Sequence, residues 1–140
     1  MAGVGSEWRA SFPGTPASAG RARRFVSSAL GAAGRDEATE VAELLTSELV
    51  CNAVLHAGTV VEVVVRVLPD RLAVEVHDQG RGQPTRRNYS AMSGTGRGLV
   101  LVEELARDWG TVLTEAGKFV WFELDLARQA PSAGEQAQTG

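Results

Sequence analysis

The longest helical pattern in this chain covers residues 37–57. At about 100° per residue, its larger apolar side chains are expected to share one broad face: Val41, Leu44, Leu45, Leu49, Cys51 and Leu55. Glu48, Asn52 and His56, spaced i, i+4, i+8, fall in the middle of that arc. A buried carboxylate or amide costs free energy unless a partner, a metal or water satisfies it. The helix therefore carries either a functional site or a satisfied polar network.

Composition limits the class of protein. The 140 residues are 44% hydrophobic and 22% charged, which suits one soluble domain. No apolar run reaches the roughly 18 to 20 residues of a membrane span, and a net charge of −3 argues against a nucleic-acid partner. A single cysteine, Cys51, excludes an internal disulfide. We expect a cytoplasmic domain over residues 6–126, with disordered tails at 1–5 and 127–140.

Period-two alternation and β-branched runs predict five strands, at residues 7–12, 60–68, 71–77, 109–114 and 118–126. Turn residues between them make hairpins of the second and third strands and of the last two. A first helix precedes the long one, and a short third helix is predicted at residues 99–106. Because hairpins dominate, we expect an α+β, two-layer sandwich: a mixed, mostly antiparallel sheet with its helices on one face.

Local signals also predict where the first two helices begin and end. Thr15 and Pro16 have the residue types of an N-cap and a first-turn proline, and Gly31 with Gly34 would end the first helix. Asp36 is the expected N-cap of the long helix.

Asp78-x-Gly80-x-Gly82 follows a strand directly. The glycines allow a ligand to approach the backbone closely, and the carboxylate can accept a hydrogen bond from an amino group. An Asx-turn at the strand end is the alternative interpretation.

Gly94-x-Gly96-x-Gly98 lies just before the third helix. Backbone N–H groups of such a loop, together with the helix N-terminus, suit an anion such as phosphate. Arg97 either adds positive charge to that site or is a solvated loop residue. The triplet does not follow the first strand of a βαβ unit, and there is no P-loop, so neither a dinucleotide fold nor a P-loop enzyme is indicated.

The three features occur in a fixed order: the Glu48 and Asn52 pair, the aspartate–glycine motif, and the glycine triplet followed by Leu99. This order resembles the ATPase superfamily of gyrase, the heat-shock chaperone, histidine kinases and the mismatch-repair MutL protein (the GHKL superfamily). Within it, the chain looks most like bacterial anti-sigma-factor serine kinases. The resemblance covers about residues 7–126.

That resemblance implies a role for each matched residue. Asn52 would coordinate Mg²⁺, Asp78 would bind the exocyclic amino group of adenine, and Glu48 would be the general base for a substrate serine. Gly80 and Gly82 would let the base and a lid pack closely. The phosphate-binding residues would be Gly94, Gly96, Arg97 and Gly98, with Leu99 beginning the helix behind them.

Three further residues have competing interpretations. Arg23 aligns with a phosphate- or partner-contacting arginine of the kinases, but Arg21, Arg23 and Arg24 also fit a solvated basic face. His56 is an orienting or packing histidine, or else a ligand. Phe119 aligns with the family's small hydroxyl residue near adenine, so its ring would pack on the base or fill part of the pocket. Packing in the core is the default alternative for this residue.

The resemblance implies ATP and Mg²⁺ as cofactors. It implies a sigma factor or an anti-anti-sigma antagonist as partner, without direct nucleic-acid or membrane contact, and leaves a homodimer open. The favoured activity is transfer of the ATP γ-phosphate to a serine of the antagonist. Two alternatives are a non-catalytic ATP-dependent switch and a detached histidine-kinase-type ATPase domain.

Overall fold

The computed structural model describes residues 5–80 and 98–127, with residues 98 and 99 described by their backbone alone. In chain order its elements are β1 (Ser6–Phe12), α1 (Ser18–Ala32), a 3-10 turn (Asp36–Ala38), α2 (Thr39–His56), β2 (Val61–Val67), β3 (Arg71–Asp78), α3 (Gly98–Leu105), β4 (Asp108–Leu113) and β5 (Lys118–Asp125). Every predicted strand is present within one residue of its expected ends, which confirms the element order.

The five strands form one sheet in the order β1-β2-β3-β5-β4. All four pairings are antiparallel. Two pairs are the predicted hairpins, and the β3–β5 pair joins them into one sheet. β3 therefore lies in the middle, where its end is flanked by β2 and β5. The expected α+β sandwich, with helices on one face of an antiparallel sheet, is confirmed.

Alternation along the strands decides which side chains meet the helices. In β3, Leu72, Val74 and Val76 are buried, and their cross-strand partners in β5 are Leu124, Phe122 and Val120. These side chains form one core with α1, α2 and Val102 of α3. Within residues 5–80 and 98–127, no helix is both long and apolar enough to span a bilayer.

The buried face of α2 differs from the predicted arc. Leu44 and Leu55 are exposed, whereas Leu45 and Leu49 are buried together with Ala42, Thr46, Val50, Asn52 and Ala53. The core face is thus rotated toward the small residues, because α1 packs along one side of α2 and the sheet along the other. Glu48 consequently lies at the border of the buried face, not in its middle.

Three predicted helix signals are wrong. α1 begins at Ser18 after an uncapped Ala17, so Thr15 is not the N-cap and Pro16 precedes the first turn. Ser18 itself donates a hydrogen bond to the Pro13 carbonyl at 2.5 Å, which anchors the start of the helix. Gly31 lies inside α1, and the chain leaves the helix at Gly34, whose φ is 71°.

Asp36 does not cap α2 either. It opens the 3-10 turn, and no side-chain bond caps α2 at Ala38. The chain is held here by Arg35, a buried residue that the sequence patterns did not single out. Its guanidinium donates to the carbonyls of Pro69 and Ala127 and pairs with Glu37 at 2.9 Å. Contacts of Arg35 therefore fix the chain ahead of α2, whose first turn has no side-chain cap.

The outer face of the sheet is covered by ion pairs. Arg66 pairs with Glu7 at 2.9 Å and with Glu75 at 2.6 Å, and Arg9 pairs with Glu7 at 2.8 Å. Val64, which points to this face, is fully buried beneath them. Hydrogen bonds from Arg9 and Arg66 hold the pKa of the Glu7 carboxyl below its ordinary value.

Candidate functional site

Asn52 is a buried polar residue of α2, and its side chain has both a donor and an acceptor to satisfy. Its side chain is fully enclosed, and neither its amide nitrogen nor its amide oxygen has a hydrogen-bond partner within residues 5–80 and 98–127. A buried polar group left unsatisfied costs roughly 1 to 3 kcal/mol. This cost is not offset by any contact among the described residues, so the carboxamide is available for a ligand.

Glu48 lies one helical turn before Asn52 and is half-buried. The charge of Glu48 affects the pKa of Cys51. Burial raises the pKa of the Cys51 thiol, the Glu48 carboxylate raises it further, and the Arg23 guanidinium lowers it in part. Arg23 on α1 is therefore within electrostatic reach of the same segment of α2 as Glu48. Cys51 itself is a poorly ionised, partly buried thiol.

Asp78 ends β3 on the inner face of the sheet, in phase with Val74 and Val76. Its Oδ1 accepts the backbone N–H of Gly80 at 2.8 Å. This bond is the Asx-turn that the sequence offered as the alternative interpretation. The turn leaves the carboxylate able to accept further hydrogen bonds. Oδ1 also accepts one from Lys118 Nζ at 2.8 Å.

Lys118 is the site residue that sequence reasoning missed. It is the cross-strand partner of Asp78, and both side chains are only 3% exposed. One signal could have found it, since Lys118 is in phase with the buried Val120, Phe122 and Leu124 of β5. A charged side chain on the core face of a strand needs a partner, and Asp78 provides it.

The expectation for Phe119 is wrong. Alternation places Phe119 on the outer face of the sheet, opposite His77, and the two rings stack with centroids 4.4 Å apart. The position beside Asp78 belongs to Lys118, one residue earlier. Neighbouring residues of a strand lie on opposite faces, so the Phe119 ring cannot pack on a base that lies beside Asp78.

Gly80 brings the end of β3 against the end of α2. A Cβ on Gly80 would lie 2.7 Å from Cβ of Ala57, 3.1 Å from Asp78 Oδ1 and 3.3 Å from Lys118 Nζ. Only glycine fits this approach. Ala57 lies five residues after Asn52, about 7.5 Å along a helix axis. Asn52 and the Asp78–Lys118 pair therefore lie near one end of the sheet, on its helical side.

The third motif is described only in part. The backbone of Gly98 and Leu99 opens α3, as predicted, and α3 packs against α2. Gly82, Gly94, Gly96 and Arg97 lie outside the described residues. Arg23 is exposed on α1, and His56 is half-buried in the last turn of α2.

These residues fit a nucleotide with a metal ion better than a metal alone. The described part of the chain holds no group of three or more His, Cys, Asp or Glu side chains suited to a metal. An unsatisfied amide oxygen at Asn52 suits a hard cation that takes its other oxygens from phosphate and water. Asp78 and Lys118 offer an acceptor and a donor side by side, which suits the edge of a base.

Comparison with known proteins agrees with this geometry. The family described as the histidine kinase-like ATPase domain matches residues 12–124, which covers both layers of the sandwich and all three motifs. Among curated proteins, none matches the chain. By its sequence, its fold and the arrangement of its site, the chain belongs to the histidine kinase-like ATPase domain family.

Proposed function

We propose that this domain binds ATP with Mg²⁺ beside α2 and the end of β3, and transfers the γ-phosphate to a serine of a partner protein. The observation that carries the proposal is Asn52, a fully buried carboxamide with no hydrogen-bond partner in the described part of the chain. Membership in an ATPase domain family supports nucleotide binding at this place. The unsatisfied amide supports a metal-bound phosphate as its ligand.

Each residue would contribute a distinct interaction. Asn52 would hold the cation through its amide oxygen, and Asp78 would accept the exocyclic amino group of adenine. The start of α3 presents backbone N–H groups suited to phosphate oxygens. Mg²⁺, when bound, would neutralise the charge of the β- and γ-phosphates.

Phosphate transfer requires a base, and Glu48 is the candidate. The serine Oγ would bond to the γ-phosphorus while the bond from that phosphorus to the ADP oxygen breaks. The hydroxyl proton would pass to the Glu48 carboxylate. Position supports this role, since Glu48 lies one turn from Asn52 and at the border of the buried face.

The nucleotide part is tested by Asn52→Ala, with Thr46→Val as the matched control. Thr46 is also buried on α2, its hydroxyl has no hydrogen-bond partner among the described residues, and valine has nearly the same shape. Calorimetry with ATP and Mg²⁺ should show at least about tenfold weaker binding for Asn52→Ala and unchanged binding for Thr46→Val. Circular dichroism should be the same for both. Loss of folding in Asn52→Ala alone would instead place Asn52 in a structural network.

The kinase part is tested by incubating the protein with labelled ATP, Mg²⁺ and candidate antagonist domains. A sigma factor and an anti-anti-sigma antagonist are the partners we propose, and a pull-down from the native cell would identify them. Phosphoserine on the antagonist supports the proposal. Tight ATP binding without transfer would indicate the non-catalytic switch. Acid-labile phosphate on a histidine of a partner would indicate a detached histidine-kinase-type domain.

A further inference from the structure

Lys118 is the only lysine in the 140 residues, and every other basic position of the Lys and Arg set is arginine. It is also buried, whereas Arg9, Arg21, Arg23, Arg24 and Arg107 are exposed. Its ammonium group is 2.8 Å from Asp78 Oδ1. The chain thus places its single compact, three-donor cation beside the carboxylate that the proposed function assigns to adenine.

A buried ion pair is costly unless further hydrogen bonds satisfy both partners. An ammonium group has three N–H donors, and the one bond described for Lys118 goes to Asp78. A carboxylate has about four acceptor positions, and Asp78 uses Oδ1 for Gly80 and Lys118. The pair therefore has hydrogen-bonding capacity left over, with a donor and an acceptor next to each other.

The residues next to the pair are small or lie on the other face of the sheet. Gly80 carries no side chain at the point where a Cβ would come within 3.3 Å of Lys118 Nζ. Phe119 and His77, the neighbouring bulky residues, point to the opposite face of the sheet. Small residues beside the pair, Gly80 and Ala57, suit a thin, planar ligand such as a base.

The edge of adenine presents the complementary pattern, an amino group that donates next to the ring nitrogen N1 that accepts. Resting on the nucleotide-binding function proposed above, we infer that Lys118 is a specificity-determining residue that donates a hydrogen bond to N1 of adenine. Asp78 accepts the adjacent amino group. Guanine presents an acceptor where adenine presents its amino group, so in the same orientation it would face Asp78 with an oxygen.

The first experiment needs no variant. Binding of ATP is compared with 1-deaza-ATP, in which N1 is replaced by C–H, and with 7-deaza-ATP as the control altered on another edge. We expect 1-deaza-ATP to bind the wild-type protein roughly 10- to 100-fold more weakly than ATP, the range for a hydrogen bond to a charged group. 7-Deaza-ATP should bind like ATP. Equal binding of all three would overturn the role of Lys118 and leave nucleotide binding intact.

The second experiment removes the donor. Lys118→Met should bind ATP and 1-deaza-ATP equally, because the ligand difference depends on the ammonium group. Tighter ATP binding by Lys118→Met than by the wild type would overturn the inference, since Lys118 would then obstruct Asp78. If the wild-type protein binds none of the three nucleotides, the proposed function itself fails.

A direct readout is available because there is one lysine. Protein labelled with ¹⁵N at lysine Nζ should give one side-chain signal, which ATP shifts and 1-deaza-ATP leaves near its ligand-free position. The same shift with both nucleotides would mean that the ammonium responds to the phosphates or to a change elsewhere in the protein. That result would overturn the assignment. This measurement uses the wild-type protein and is independent of how well Lys118→Met folds.

Discussion

At the scale of single residues, Glu48 and Asn52 have different environments although they lie one turn apart on the same side of α2. Asn52 is fully buried and has no hydrogen-bond partner among the residues that the structure describes, whereas Glu48 is half-buried at the border of the core face. A metal ligand gains from enclosure, because water then competes less for the cation. A general base needs access for the incoming hydroxyl. The two positions match these two requirements.

Replacing Glu48 by glutamine should therefore affect transfer and not nucleotide affinity. General-base catalysis typically contributes about 10² to 10⁴ in rate, so phosphoserine formation by Glu48→Gln should fall by that order. ATP affinity, measured by calorimetry, should stay near the wild-type value because glutamine keeps the shape of the side chain. Glu40→Gln, an exposed substitution in the first turn of the same helix, is the control. Wild-type transfer rates in Glu48→Gln would show that the base is another group.

At the scale of elements, the β4–β5 turn sets the position of the site. Thr114 and Gly117 exchange backbone hydrogen bonds of 2.9 and 3.3 Å, and the Gly117 N–H also donates to Thr114 Oγ1 at 3.0 Å. A Cβ on Gly117 would lie 2.6 Å from Cα of Gln79 and closer still to the Asp78 carbonyl oxygen. The tip of this turn thus packs directly on the backbone that carries Asp78.

The same substitution should have opposite effects at two glycines. Gly117→Ala forces backbone against backbone and should destabilise the fold by at least about 1 to 3 kcal/mol, with weaker nucleotide binding because Asp78 moves. Gly31→Ala should stabilise it by about 0.5 to 1 kcal/mol, since Gly31 lies in the exposed last turns of α1 with only Asp36 Oδ1 at 3.9 Å. Urea unfolding of both variants measures the difference. Equal stability of Gly117→Ala and wild type would contradict the close approach.

At the scale of the whole molecule, the two faces of the sheet carry different kinds of contact. The inner face carries the core and the Asp78–Lys118 pair, and the outer face carries the ion pairs around Arg66. Glu75 is central to the outer set, since it accepts bonds from Arg66 at 2.6 Å and from His77 at 2.8 Å. Partial burial raises the pKa of its carboxyl, but the hydrogen bonds and the charges of Arg66 and His77 together outweigh burial, and the net pKa is lowered.

A lowered pKa in the folded state makes stability depend on pH in a definite direction. The ordinary pKa of a glutamate carboxyl is 4.5, and the pKa of folded Glu75 is lower. When the pH falls below 4.5, the unfolded chain therefore binds a proton at Glu75 more readily than the folded chain does. Its contribution is therefore fully present above about pH 4.5 and is lost as the pH falls through the folded pKa. The free energy of unfolding should decrease on acidification in this range, and Glu75→Gln should reduce the slope.

The measurement is urea unfolding between pH 3 and pH 7. Glu115→Gln is the matched control, because Glu115 is exposed in the β4–β5 turn and has no ion pair with a described residue. A slope in Glu75→Gln as steep as in the wild type would show that other carboxyls, such as the pKa-lowered Glu7 and Glu37, carry the dependence.

Much of this architecture follows from local patterns. The valine-rich run of β2 and the alternation in β3 predicted their strands within one residue, because side-chain periodicity depends on neighbours in the chain. The positions of Asn52 and Asp78 could be named for the same reason. Helix starts were predicted poorly. Ahead of α2 the chain is fixed by Arg35, whose partners lie far away in the chain, and Asp36 does not supply the expected cap.

The sequence by itself determined the elements, the polar residues stranded among apolar ones, and the order of the three motifs. Only the tertiary structure decided what those residues face. The register of β3 against β5, two strands not joined by a turn, places Lys118 and not Phe119 beside Asp78. That register is set by core packing across the whole sheet, where a slip of one residue would exchange every inward side chain for an outward one.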